Sequence, residues 1–334
     1  MFSLLLALIY LAFFGMGLPD SILGSAWPLM QNDLGIPLGY ASLLTVVISV
    51  STIVSTLCTS ALLKKLGTGL LCAISTACAT LALLGFAFSN SFWLLFLFAF
   101  PYGFGAGAID ATLNGYVATH LDSKHMNWLH CVLGLGAATG PLLMSFAITN
   151  SFGWHGGYLI VGILQASLTF LLFLALPLWH KPSKTQDAKP PEPKPTPPTL
   201  LQSLQQKGVL AMLLACFAYV ALESLCGVWI ASYLVLAKGV PTPTAALFGS
   251  LFYLGITLGR FLAGFFAKKT GDKTMIRIGI GVSLLAVFAL LLPFSFNQPT
   301  LIGLLVLGLG FAPILPAMVH DTPHNFGETY AESI

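Results

Sequence analysis

Apolar residues fall into ten long runs separated by short polar breaks, at 3–30, 38–62, 69–88, 92–119, 126–149, 154–178, 208–236, 244–267, 274–293 and 299–320. A helix needs about 20 mostly apolar residues to cross the hydrocarbon core, so each run predicts a membrane-spanning helix. The longer runs allow tilting or kinking. No basic residue precedes the first run and nine others follow it, which predicts a retained span rather than a cleaved signal peptide.

One polar stretch is different in kind. Residues 181–206, KPSKTQDAKPPEPKPTPPTLLQSLQQ, are polar and proline-rich, as in an extended, solvated linker. The stretch separates six runs from four. The expected organisation is a six-helix bundle at 1–179, a cytoplasmic linker at 180–206 and a four-helix bundle at 207–334.

Composition agrees with a membrane protein. Charged residues are 7% of the chain, hydrophobic residues 57%, and the mean hydropathy is +0.89. A soluble domain carries roughly 25% charged residues. Charge then sets orientation. Lys64, Lys65, Lys124, Lys181, Lys184, Lys189, Lys194, Lys207, Lys268, Lys269, Lys273 and Arg277 lie in connections on one side, and only Lys238 lies on the other. The positive-inside rule predicts a cytoplasmic N-terminus in the plasma (inner) membrane. The net charge of +3 is thus a topology signal and not a nucleic-acid footprint. All six cysteines fall within runs without a CxxC pair, as small packing residues do.

The two parts repeat. Asp20-Ser21-x-x-Gly24 matches Glu223-Ser224-x-x-Gly227, Ser60-x-x-x-Lys64-Lys65-x-Gly67 matches Gly264-x-x-x-Lys268-Lys269-x-Gly271, and Gly103-x-Gly105 matches Gly308-x-Gly310. The order is conserved between the copies and the displacements are 203, 204 and 205 residues. Each displacement covers six spans, an even number, so the copies are parallel repeats related by an axis along the membrane normal. The second copy shows four spans where six would match the first.

Six-plus-six parallel repeats with a long middle loop resemble the major facilitator superfamily, whose loop motif runs Gly-x-x-x-Asp-Arg-x-Gly-Arg. Here Lys64 and Lys268 stand at the acidic position, and Ser60 replaces the first glycine. The Lys-Lys-Leu-Gly form, Asp20-Ser-Ile-Leu in span 1 and Gly105-Ala-Gly107-Ala-Ile-Asp110-Ala-Thr-Leu-Asn114 in span 4 are similar to the fucose permease-like branch. The resemblance implies an all-α membrane fold of two helical bundles. It also implies proton-coupled sugar uptake using the acids at Asp20 and Asp110. His130 sits where that branch has a glutamine and Leu133 where it has an asparagine, so the resemblance does not fix the sugar.

Residue by residue, two readings compete. Acids inside a membrane are costly and default to function, so Asp20, Asp110 and Glu223 are expected to carry proton coupling. Asp20 follows Pro19 and could instead cap the helix that resumes there. Asp110 and Asn114 share a helical face, for lining a cavity or for gluing helices. Asn127 and His130 are neighbours at the start of span 5, as cavity residues or merely solvated ones. Trp27 and Trp229 occupy similar places in the two copies, for stacking on a sugar or for anchoring at the interface. Arg260 could snorkel, pair with an acid or gate the cytoplasmic side. Lys64, Lys65, Gly67, Lys268, Lys269 and Gly271 form the loop motif, either as topology anchors or as gate contacts. Gly136-Ala-Ala-Thr-Gly140-Pro141 resembles a drug-antiporter motif, or is small-residue packing with a proline bend.

No nucleotide loop, zinc spacing or nucleophile elbow is present. The expectation is a non-enzymatic secondary symporter, without cofactor or metal. Its partners would be a small solute (a sugar first), protons and lipid, and it would act as a monomer. A proton-coupled exporter, or a sensor or scaffold on a shortened carrier fold, are the alternatives.

Overall fold

The structure, a computed structural model, describes residues 2–121, 123–179, 205–292 and 298–326. These are helical nearly throughout. The helices are α1 (Phe2–Asp20), α2 (Ile22–Leu34), α3 (Tyr40–Ala87), α4 (Phe92–His120), α5 (Ser123–Thr149), α6 (Gly153–Leu174), α7 (Leu176–Trp179), α8 (Val209–Lys238), α9 (Thr242–Thr270), α10 (Asp272–Leu291), α11 (Gln298–Phe311) and α12 (Ile314–Phe326). Lipid supplies no hydrogen-bond partners, so each segment must pair its own backbone groups. Threonine hydroxyls obey the same rule: Thr59, Thr76, Thr80 and Thr112 each donate to the carbonyl four residues earlier.

Nine helical segments among the described residues are long and apolar enough to cross a membrane. The 48-residue α3 contains both predicted spans 38–62 and 69–88. It breaks at Gly67, where φ is 73° and ψ is 165°. Its repeat mate Gly271 has φ 75° and ψ 150°. This backbone region is open to glycine and strained for other residues, so the two loop-motif glycines share one local geometry. Span 1 bends at Ser21 between α1 and α2, and the run at 299–320 is interrupted between Phe311 and Ile314, at Pro313. The linker prediction falls almost entirely on 180–204, outside the described residues.

The chain divides into two compact units, residues 1–181 with 227–254, and 182–226 with 255–334. In the first unit one core gathers Trp27, Phe86, Leu95, Tyr102, Trp154 and Tyr158, and a second gathers Ile9, Phe13, Leu113 and Leu129. Helices meet here through small residues, because lipid gives no hydrophobic drive for helix pairing and close van der Waals contact must supply it. Gly17 of α1 lies on the α5 backbone at Leu133 and Ala137, and Gly136 and Gly140 of α5 lie on the α1 backbone at Phe14 and Leu18. The glycines of the span 5 motif are therefore used in packing. Gly24 lies directly on the backbone of Gly227 and Val228, so the repeated motif meets itself at its glycines.

The duplication also shows in contacts within each unit. In the first unit, Gly103 of α4 packs on Ile48 and Ser51 and Gly105 on Ser75 and Ala79. In the second, Gly308 of α11 packs on Gly255 of α9, and Gly310 on Gly279 and Ser283 of α10. Ser51, Ser75 and Ala79 correspond to Gly255, Gly279 and Ser283 at the displacement of 204 residues set by the loop motif. The copies thus repeat their packing as well as their sequence.

A side chain at Gly24 would collide with the Gly227 carbonyl, whereas nothing lies within 4 Å of a Cβ built at Gly115. Gly24→Val is expected to cost about 1–3 kcal/mol through forced backbone displacement. Thermal unfolding of the detergent-purified protein checks this: Tm falls for Gly24→Val and is unchanged or higher for Gly115→Ala.

Candidate functional site

In the first unit the site centres on Asp20. From Gly17 to Ile22 every residue is buried except Asp20, which is exposed. Within this stretch the exposure is confined to the Asp20 carboxylate. Ser21, not Asp20, stands at the start of α2, and its hydroxyl donates to the Ala137 carbonyl at 2.6 Å. Capping therefore does not use Asp20. The Tyr102 hydroxyl of α4 donates to Asp20 Oδ1 at 3.4 Å. Tyr158 of α6 and Tyr253 of α9 stand close enough to bear on the Tyr102 hydroxyl. The Tyr158 hydroxyl is buried without a hydrogen-bond partner among the described residues. Trp229, partly buried, packs against the core that contains Tyr102 and Tyr158.

Trp27 is placed differently. It is 0% exposed and its indole N–H donates to the Leu38 carbonyl at 2.8 Å. Its faces are covered by protein in this arrangement, which gives it a packing role here. His130 packs edge-on against Phe13, with centroids 5.7 Å apart. The side chains of Asn127, Lys268 and Lys269 lie outside the described residues. Lys64 and Lys65 are exposed beside Gly67.

Asp110 is exposed on α4 and accepts a hydrogen bond from Asn114 Nδ2 at 2.8 Å. The four-residue spacing thus makes a direct pair. Asn114 Oδ1 remains buried without a partner.

The second unit holds Glu223 and Arg260. Arg260 Nη2 lies 3.6 Å from Glu223 Oε1, and the two side chains are 23% and 26% exposed. Of the readings open for Arg260, pairing with a membrane acid is the one observed. Tyr219, one helical turn before Glu223 and 4% exposed, turns its hydroxyl toward both members of the pair. Sequence reasoning passed over Tyr102, Tyr158, Tyr219 and Tyr253. Only Tyr219 carried a local signal, its four-residue offset from Glu223. Asp33, also not singled out, accepts from the buried Trp154 indole N–H at 2.9 Å.

Among the described residues no group of three or more His, Cys, Asp or Glu could hold a metal ion. The arrangement is one of membrane-depth ionisable groups, each given one or two polar neighbours. The sequence profile described as Major Facilitator Superfamily matches residues 9–334. The chain belongs to the major facilitator superfamily. This is a family of transporters rather than enzymes. Two curated members resemble this superfamily chain. The glucose/mannose transporter GlcP of Bacillus subtilis (strain 168) is 22% identical over 237 residues, 69% of this chain and 58% of that protein. The 4-hydroxybenzoate transporter PcaK of Acinetobacter baylyi (strain ATCC 33305 / BD413 / ADP1) is 26% identical over 279 residues, 71% of this chain and 60% of that protein. The chain therefore spans about 60% of the length of the curated relatives it matches. Among solved structures, a variant of the nucleoside transporter NupG aligns with TM-score 0.75 at 18% identity, covering 98% of this chain and 84% of that one. The D-xylose-proton symporter aligns with TM-score 0.71 at 13% identity, covering 98% and 85%. At these identities the likeness establishes the fold alone.

Removing Arg260 leaves a partly buried carboxylate without its cation. Arg260→Gln is expected to destabilise by about 1–3 kcal/mol, and the charge-neutral double change Arg260→Gln/Glu223→Gln to recover part of that. A double-mutant cycle on Tm checks the coupling; additive effects contradict it.

Proposed function

We propose that the chain is a secondary active transporter that moves a small polar solute, with a sugar as the first candidate, together with protons by alternating access. The observation that carries this reading is the open Asp20 carboxylate, hydrogen-bonded by Tyr102, in an otherwise covered stretch of span 1. A membrane acid that stays accessible is placed to take up and release a proton. Asp110 and Glu223 are assigned the same role, and Asn114, Asn127, His130 and Trp229 are assigned to solute contact. The relatives named as glucose/mannose transporter and D-xylose-proton symporter support a sugar and a proton. The relative named as 4-hydroxybenzoate transporter supports a wider solute range.

Protonation removes the charge that resists passage through a low-dielectric barrier. Coupling arises when proton and solute favour the same conformations. Under this proposal the loop motif of Lys64, Lys65, Lys268 and Lys269 and the linker lie on the cytoplasmic side, with the N-terminus, in the plasma membrane. The exporter reading rests on the span 5 motif, whose Gly136 and Gly140 pack on α1.

The purified full chain in proteoliposomes is expected to accumulate labelled D-xylose or D-glucose when an inward proton gradient is imposed. Asp20→Asn and Asp110→Asn should each lower gradient-driven accumulation by about 10-fold or more, on the scale of a lost coupling free energy. Counterflow exchange without a gradient should persist. Unchanged accumulation removes that acid from the coupling role.

A further inference from the structure

We infer that Arg260 and Tyr219 form a site for the carboxylate of an acidic organic solute, and that Glu223 is the internal carboxylate which the solute displaces. This deepens the transport reading by naming a solute class, and it rests on that reading for its biological sense.

The physical ground is a surplus of donors. A guanidinium carries five N–H groups and a tyrosine one O–H. The acceptor brought to them is Glu223, through a single contact at 3.6 Å. Charge-assisted bonds of good geometry are about 2.7–2.9 Å and are often bidentate for arginine and carboxylate. Arg260 Nε is buried with no hydrogen-bond partner among the described residues, and the buried Tyr219 hydroxyl faces Glu223 and Arg260 without a well-formed bond to either. Buried donors left unmade are costly, and the acceptor beside these groups, Glu223, engages the guanidinium at only 3.6 Å.

Charge balance selects the class. Exchanging the Glu223 carboxylate for a solute carboxylate, with Glu223 taking up a proton as it leaves, keeps Arg260 neutralised and the charge of the site unchanged. A neutral sugar in the same place would have to separate the pair and leave the guanidinium uncompensated. Arginine's planar fork also matches two carboxylate oxygens better than scattered hydroxyls. The position agrees with a solute rather than a lipid headgroup. Glu223 lies 14 residues into α8, roughly 21 Å along its axis at 1.5 Å per residue. Both side chains of the pair are partly exposed, at 23% and 26%.

The test measures binding, so it does not depend on transport. Ligand-induced stabilisation of the purified full chain is followed with sodium D-glucuronate, sodium benzoate, D-glucose and sodium chloride at matched ionic strength. At least one of the two acids should stabilise at concentrations about 10-fold or more below glucose, the scale of a charged hydrogen bond against a neutral one. Tyr219→Phe should weaken the acid response several-fold. Arg260→Gln/Glu223→Gln, neutral and so relieved of a stranded charge, should abolish the preference for acid. Glucose matching the better acid, chloride reproducing the effect, no response to either acid, or a preference that survives in the double variant overturns the inference. Absence of transport for every solute, with the acid preference intact, sinks the transport reading and leaves this one standing. Gradient-driven sugar uptake without acid preference does the reverse.

Discussion

A hydrocarbon slab offers a polar atom no partner, and this one restriction organises the structure. It forces the chain into helices whose backbones pair internally. It turns threonine hydroxyls back onto the carbonyl of the preceding turn. It also leaves helix association to close contact between small residues, which is why Gly103, Gly105, Gly136 and Gly140 sit where backbones cross. The ionisable groups are exceptions that the same restriction makes conspicuous. Asp20 has Tyr102, Asp110 has Asn114, and Glu223 has Arg260.

Much of the fold was legible because hydropathy at membrane depth overrides local propensity. The predicted runs at 92–119 and 208–236 correspond to α4 at Phe92–His120 and α8 at Val209–Lys238. The duplication was legible in the repeat motifs, and the packing of Gly308 and Gly310 follows that of Gly103 and Gly105. The break in the run at 299–320 falls at Pro313, and an apolar stretch of the right length conceals such a break in its backbone.

Side-chain partnerships were less legible, and distance along the chain explains why. Asp110 with Asn114 follows from helical periodicity alone. Tyr102 with Asp20 joins residues 82 apart, and Arg260 reaches Glu223 from another helix. Such pairs depend on the relative rotation of two helices, which no spacing within one helix encodes. Trp27 shows the same limit. Its place in the repeat left sugar stacking and interface anchoring both open, while in the fold its indole N–H holds the Leu38 carbonyl and the ring is covered.

The meeting of Gly24 with Gly227 has a mechanical consequence. Two backbones touch there, Gly24 lying on the Gly227 carbonyl and the Val228 Cα. Such a crossing resists separation, because its contact area is close, but opposes rolling far less than an interdigitated seam does. With no side chain on Gly24 to unseat, the contact is a natural pivot for α2 against the adjoining stretch of α8.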